Sequence, residues 1–203
     1  MTNGSVRRRA TRVLASVNGD GRHGLALLAL VAIVLLSGFA GRAGIDLLAY
    51  QRDAIGAGEL WRLLSGHWVH FDPHHALLNA LGLALLWMLF ARDLRPAHWL
   101  LVVGASIAAI DAGLWWLDPD VGWYVGASGW LHGVLAAGAW MHLRRGDADR
   151  WLLVALLVVK LLMEQRAPLP FSGDMPVIVE AHLYGALGGL AAAICLPPRR
   201  EPL

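Results

Sequence analysis

Three short stretches of this chain carry residues whose types and spacing can do chemistry. The first is Gly126-Ala127-Ser128-Gly129, where a polar segment beginning Asp118-Pro119-Asp120 gives way to a run that stays almost uncharged until Arg144-Arg145. A serine flanked by glycines at the mouth of such a run exposes its hydroxyl and its own backbone N–H to a reacting group. Glycine and serine also gather wherever membrane helices pack closely, and the tetrapeptide alone fits that packing explanation better. The other two stretches, 75–79 and 181–189, reverse the balance. His75 and Asn79 are four apart and share one helix face, while His182 opens an apolar run punctuated by Gly185 and Gly189.

The division of labour follows from side-chain chemistry. Ser128 is a poor nucleophile until a base takes its proton, and His182 is the candidate base. The imidazolium so formed can return the proton to a leaving amine. A tetrahedral intermediate needs donors for its oxyanion, and the Ser128 backbone N–H, the Asn79 amide and a His75 N–H are available. Glu180 lies two residues from His182 on a different helix face, and no Asp or Glu stands where it would orient that ring. The expectation is a Ser128–His182 dyad with an oxyanion site formed by His75, Asn79 and Ser128.

The elements that must position these groups are membrane helices. The chain has 203 residues, 57% hydrophobic and only 16% charged, with mean hydropathy +0.53; a soluble domain carries closer to about a quarter charged residues. Several apolar runs approach the roughly 20 residues that span a bilayer. The fold class expected is an all-α membrane protein, a bundle of six transmembrane helices at about 25–41, 74–91, 97–117, 127–143, 151–167 and 180–196. They form one membrane domain over 25–196, between a basic tail of 1–24 and a short tail of 197–203. At a rise of about 1.5 Å per residue, Ser128 lies roughly 24 Å above Arg144 and His182 roughly 21 Å above Leu196. His75 and Asn79 bracket that level, roughly 24 and 18 Å above Ala91. All four groups meet in one layer just below one surface of the bilayer, as a reaction site requires and scattered structural polar groups would not.

Orientation follows from where the arginines fall. The N-terminal tail, Arg92, Arg95, Arg144, Arg145, Arg150, Arg199 and Arg200 lie on one side, against Arg42, Arg52, Arg62 and Arg166 on the other. Both termini are therefore expected on the cytoplasmic side, with the site facing the outer side of a bacterial inner (cytoplasmic) membrane. Trp99 and Trp151 at cytoplasmic ends and Trp115, Trp116 and Trp123 at outer ends match aromatic belts. Arg7-Arg8-Arg9, Arg12 and Arg22 before the run from Leu25 have a signal peptide's layout, with cleavage near Ala40 conceivable. An uncleaved first span is preferred, because everything downstream is membrane-bound too.

Other features exclude functions or await partners. A single cysteine, Cys195, rules out an internal disulfide and a cysteine-based metal site. A net charge of +2 with dispersed arginines leaves no nucleic-acid partner. His67, His70, His74 and His75 cluster without a second ligand set and read as interfacial, so no metal and no cofactor is expected. Lys160 and Glu164, four apart, pair with each other; Asp111 has no evident partner. The loop 42–73, with Leu60, Trp61, Leu63, Leu64, Trp68 and Val69, reads as amphipathic elements in the outer interface. Phe171 to Pro176, after Pro168 and Pro170, reads as an irregular loop that could cap the opening.

Taken together, His75-x-x-x-Asn79, Gly126-Ala-Ser128-Gly129 and Ala181-His182-x-x-Gly185-x-x-x-Gly189, in that order on the second, fourth and sixth spans, resemble the rhomboid intramembrane serine proteases. Trp61-Arg62 and His70-Phe71 also look like that family's first-loop Trp-Arg and its approach to the second span. The resemblance implies a Ser128–His182 dyad, an oxyanion site lined by His75 and Asn79, and a close approach of spans four and six allowed by Gly185 and Gly189. Many rhomboids place a tyrosine one turn after the serine; here His132 stands there, and it either stacks on His182 or is a satisfied packing residue. Gly-Trp-Leu-His132-Gly after the serine is similar to the rhombosortase branch. That implies substrates that are secreted proteins ending in a Gly-Gly motif, a membrane helix and a basic tail. Water as acceptor of the acyl group gives hydrolysis; another nucleophile gives transfer. The rival readings are a catalytically inactive rhomboid-like chaperone, disfavoured by the presence of both Ser128 and His182, and a histidine-rich metal or haem membrane protein.

Overall fold

The computed structural model describes residues 24–91, 93–166 and 177–197; the expectations made for 1–23, 167–176 and 198–203 lie outside the described residues. The elements run α1 (Gly24–Ser37), α2 (Gly41–Leu48), β1 (Tyr50–Gln51), α3 (Arg52–Gly56), α4 (Arg62–Ser65), α5 (Pro73–Phe90), α6 (Pro96–Trp116), β2 (Trp123–Tyr124), α7 (Ser128–Arg145), α8 (Arg150–Glu164) and α9 (Val179–Cys195).

Large apolar side chains cover the outside of the bundle. Leu77, Leu81 and Leu85 stand exposed one turn apart on α5, and Leu152, Leu156, Val159 and Met163 do the same on α8. Water would not tolerate so continuous an apolar surface; lipid does, and the molecule is an integral membrane protein. Among the described residues α5 and α6 are each long and apolar enough to cross a bilayer, and α9 is apolar but shorter. α7 is different. Most of its residues are buried by neighbouring helices, so packing rather than lipid selects its glycines, alanines and histidines.

The first apolar run is shorter than expected. α1 ends at Ser37, and the chain turns by 109° into α2, with Gly41 at φ +63. Hydropathy carries on through the turn and so hid it. At the turn, a Cβ on Gly38 would lie 2.6 Å from the Ala76 Cβ, so a glycine there brings the end of α1 against the start of α5.

The segment between α1 and α5 is a buttress rather than a set of surface helices alone. A helix of eight residues leaves its last carbonyls without partners, and α2 has them met by side chains of the following turn. Arg62 donates to the carbonyls of Asp46 and Ala49, both at 2.9 Å, Trp61 Nε1 to Leu47 and Ser65 Oγ to Leu48. Arg62 is buried and also held by Glu59. This is the work done by Trp61-Arg62. The buttress then joins the chain leading into α7: β1 pairs antiparallel with β2, Tyr50 opposite Tyr124 and Gln51 opposite Trp123. The two-residue strands add a small sheet to an expected all-α fold.

Candidate active site

Ser128 is the first residue of α7, and the approach to it is tied down at every step. The Arg52 N–H donates to the Gly122 carbonyl and the Gly126 N–H to that of Gly66. The Tyr124 hydroxyl donates to the Gly126 carbonyl at 2.7 Å; burial holds its phenol well above the ordinary value. Gly126 itself has φ +111, a left-handed conformation that disfavours any side chain, and a Cβ there would lie 2.6 Å from the His75 ring. The Ala127 N–H reaches His70 Nε2 at 3.4 Å, while His70 Nδ1 contacts Ser37 Oγ at 2.7 Å and that hydroxyl donates to the Val34 carbonyl. The chain fixes one tautomer: His70 accepts at Nε2 and donates from Nδ1. Burial, aided by the neighbouring His75, pushes His70 down to about 3, which keeps that acceptor free of a proton at neutral pH. No side chain caps α7 at Ala127, the Gly129 N–H meets the Tyr124 hydroxyl, and the positive end of the helix dipole faces the space beside Ser128.

α5 starts where it does because Asp72 caps it, accepting the His75 N–H at 2.7 Å, with Pro73 at the first helical position. Such a cap contributes about 1 kcal/mol and fixes the rotation that puts His75 and Asn79 toward α7. Both line a cavity with Ser128. His75 Nδ1 and Asn79 Nδ2 are buried and have no hydrogen-bond partner among the described residues.

α9 supplies His182. The Nε2 atom lies 2.8 Å from Ser128 Oγ. That distance depends on glycine: a Cβ on Gly185 would fall 2.0 Å from the Gly129 carbonyl oxygen. His132, of the two roles left open for it, stacks on His182, with ring centroids 4.2 Å apart and planes 16° from parallel, and its Nδ1 also contacts the Ser128 carbonyl at 2.7 Å.

The structure corrects three expectations. His182 does have a carboxylate partner: Glu164 Oε2 lies 2.9 Å from its Nδ1. Glu164 also meets Lys160 through Oε1, as expected from their spacing, but that pairing uses only one of its oxygens. Asp111 has a partner as well, His67 Nε2 at 3.1 Å. And the clustered histidines do not share one environment: His74 is exposed, His67 and His70 are fully buried, and His70 packs edge-on against His75 with ring centroids 5.0 Å apart. Two histidine–carboxylate groups, His132/Glu164/His182 and His142/Asp147/Asp149, bring ligand-type atoms within 4.8 Å of one another; hydrogen bonds to Ser128, Lys160, Asp93 and Arg145 engage them, and His132 Nε2 is left without a partner among the described residues.

Two spaces adjoin Ser128. One, of about 30 Å³, is lined by Phe71, Trp123, Ile178 and His182. The other, about 340 Å³, lies between α5, α7 and α8; Leu85 and Leu135 form its apolar depth and Glu164 and Lys160 its wall near α8. The Ser128–His182 pair thus stands at the head of an apolar groove between helices.

Comparison with known proteins gives a consistent result. Residues 57–199 match the family model described as the rhomboid domain. The putative rhomboid protease YdcA of Bacillus subtilis (strain 168) is 27% identical over 148 residues, 71% of each chain.

Proposed function

Because this chain belongs to the rhomboid family, we propose that it is a serine endopeptidase that cleaves membrane-anchored proteins near the outer interface of the bilayer. The observation that carries this is the 2.8 Å contact of His182 Nε2 with Ser128 Oγ, beside the unpartnered Asn79 Nδ2 and His75 Nδ1. As Ser128 Oγ attacks the scissile carbonyl, its proton passes to His182 Nε2. The carbonyl oxygen, now an anion, is met by the Ser128 N–H at the head of α7, the Asn79 amide and His75. Collapse breaks the C–N bond, the proton moves to the leaving amine and an acyl-enzyme remains on Ser128. Water then repeats the sequence in reverse roles and frees the acid.

The substrates we propose are secreted proteins with a C-terminal membrane anchor whose cut site carries a Gly-Gly motif. The support is His132 one turn after the serine, as in the rhombosortase branch. Glycines also unwind a helix at little cost to the extended form that attack on a peptide bond requires. The topology proposed is six spans with both termini cytoplasmic, in a bacterial inner membrane with Ser128 toward the outer side; the arginine distribution supports it.

The test is cleavage in proteoliposomes of a single-span reporter carrying Gly-Gly at its outer end. The wild type is expected to release the N-terminal product and Ser128→Ala to release none. Replacing Gly-Gly by Leu-Leu is expected to slow cleavage about tenfold or more, in line with a factor of ten for each 1.4 kcal/mol. Equal cleavage of both reporters would remove the Gly-Gly assignment; equal product from Ser128→Ala would remove the mechanism.

A further inference from the structure

We propose that Glu164 is a positioning residue that completes a Ser128–His182–Glu164 triad, with Lys160 as its counter-ion. The inference rests on the serine protease reading above and deepens it.

Glu164 sits in the last turn of α8 with its side chain almost wholly enclosed. A buried carboxylate is costly unless both oxygens are met, and here they are met on opposite sides. Oε1 takes Lys160 Nζ from the same helix, and Oε2 takes His182 Nδ1 from α9 at 2.9 Å. An ionised carboxylate only accepts hydrogen bonds, so the proton of the neutral His182 ring lies on Nδ1. That leaves the Nε2 lone pair facing Ser128 Oγ, the tautomer a general base needs. The ring plane is set by the stack on His132. His132 Nδ1 is occupied by the Ser128 carbonyl, and its Nε2 lies 3.9 Å from Glu164 Oε2. The groups facing His182 are thus His132 from α7, Glu164 and Lys160 from α8, and His75 across the cavity from α5. Of these only Glu164 bears a negative charge, so it alone offsets the imidazolium formed when Ser128 is deprotonated.

A structural tie between α8 and α9 would use the same contact, and the rate of serine modification separates the two roles. With a fluorophosphonate, the Ser128 Oγ–P bond forms, the P–F bond breaks, fluoride leaves and the serine proton moves to His182. The saturating rate and the half-saturating probe concentration are measured on the full-length protein in detergent. Glu164→Gln keeps the shape, but its NH2 can donate to Nδ1 and select the wrong tautomer. The saturating rate is expected to fall about 10²-fold or more, the corresponding loss in a Ser-His-Asp triad being about 10⁴-fold. The half-saturating concentration is expected to stay within about threefold, since the probe does not touch Glu164. Glu164→Asp, which keeps the charge, is expected to recover part of the rate. Should Glu164→Gln fail to fold, nitrogen NMR of the wild-type His182 ring, assigned with His182→Gln, decides: a proton on Nδ1 is expected, and one on Nε2 overturns the proposal. A folded Glu164→Gln at the wild-type rate overturns it while leaving the protease reading intact. A folded wild type that is neither modified by the probe nor able to cut the reporter removes both.

Discussion

Each end of α7 lies at a histidine that meets a carboxylate, His142 of α7 itself at one end and His182 of α9 at the other, and the two are bonded differently. At the C-terminal end His142 Nδ1 meets Asp149 at 2.8 Å and Nε2 meets Asp93 at 2.9 Å, while Arg145 bridges Asp93 and Asp147. Only a ring with a proton on each nitrogen donates to two carboxylates, so this histidine has no lone pair with which to act as a base. The cluster joins the α5–α6 turn, the end of α7 and the α7–α8 turn, and its cations complement the negative end of the helix dipole. At the N-terminal end His182 has a carboxylate on one nitrogen and a hydroxyl on the other, and His75 Nδ1 and Asn79 Nδ2 nearby have no partner among the described residues. Satisfaction on every side holds a structure together. At the other end the satisfaction stops on the side that faces the cavity.

The sharpest way to break this contrast is to remove each histidine in turn. His182→Ala is expected to lower reporter cleavage by about 10³-fold or more, as loss of a member of a nucleophile–base unit does. His142→Ala, assayed below its melting temperature, is expected to stay within about threefold of wild type. Comparable losses from both would dissolve the distinction. Gly185→Ala comes next, because the added methyl meets the Gly129 carbonyl. Overpacking of this kind costs about 1–3 kcal/mol, and here it also parts His182 from Ser128. Both a lower melting temperature and at least about tenfold slower cleavage are expected, and a variant that is merely less stable would show that the 2.8 Å contact is not critical.

Smaller effects are expected at the other end. His142→Ala takes one donor from Asp149 and one from Asp93, which keeps Arg145, and is expected to lower stability by about 1 kcal/mol, read by thermal unfolding in detergent. The weakest effect belongs to Asp147, whose carboxyl is held below the ordinary 3.8 chiefly by its hydrogen bond to Arg145. A depressed folded value means that the stabilisation is full above that ordinary value and is lost as pH falls through the folded one. The melting temperature of the wild type should therefore exceed that of Asp147→Asn at neutral pH, with the gap closing in acid. A gap unchanged in acid would show that the pair contributes nothing through its charge.

Much of the site was legible because membrane helices convert sequence spacing into depth. Ser128, His182, His75 and Asn79 could be placed in one layer from the rise per residue alone, and the structure brings all four to one cavity. Glu164 was not legible as a partner of His182. The two lie 18 residues apart on different helices, and Glu164 already had a good local partner in Lys160, so the spacing rule stopped there. His67 and Asp111 escaped for the same reason, since one lies in the buttress and the other on α6. The break between α1 and α2 was masked by uninterrupted hydropathy, its only signals being Gly38 and Gly41. Strands of two residues are too short to show alternation, and β1 and β2 exist because Tyr50 and Tyr124 are brought together by packing.

The central claim is that Ser128 is a nucleophile activated by His182. Mass spectrometric mapping of the fluorophosphonate adduct tests it most directly, on wild-type protein and on His182→Ala with folding verified. One adduct, on Ser128, is expected in the wild type and none in the variant over the same time. An unmodified Ser128 in folded protein that also leaves the reporter uncut, or an adduct formed as fast without His182, would contradict it.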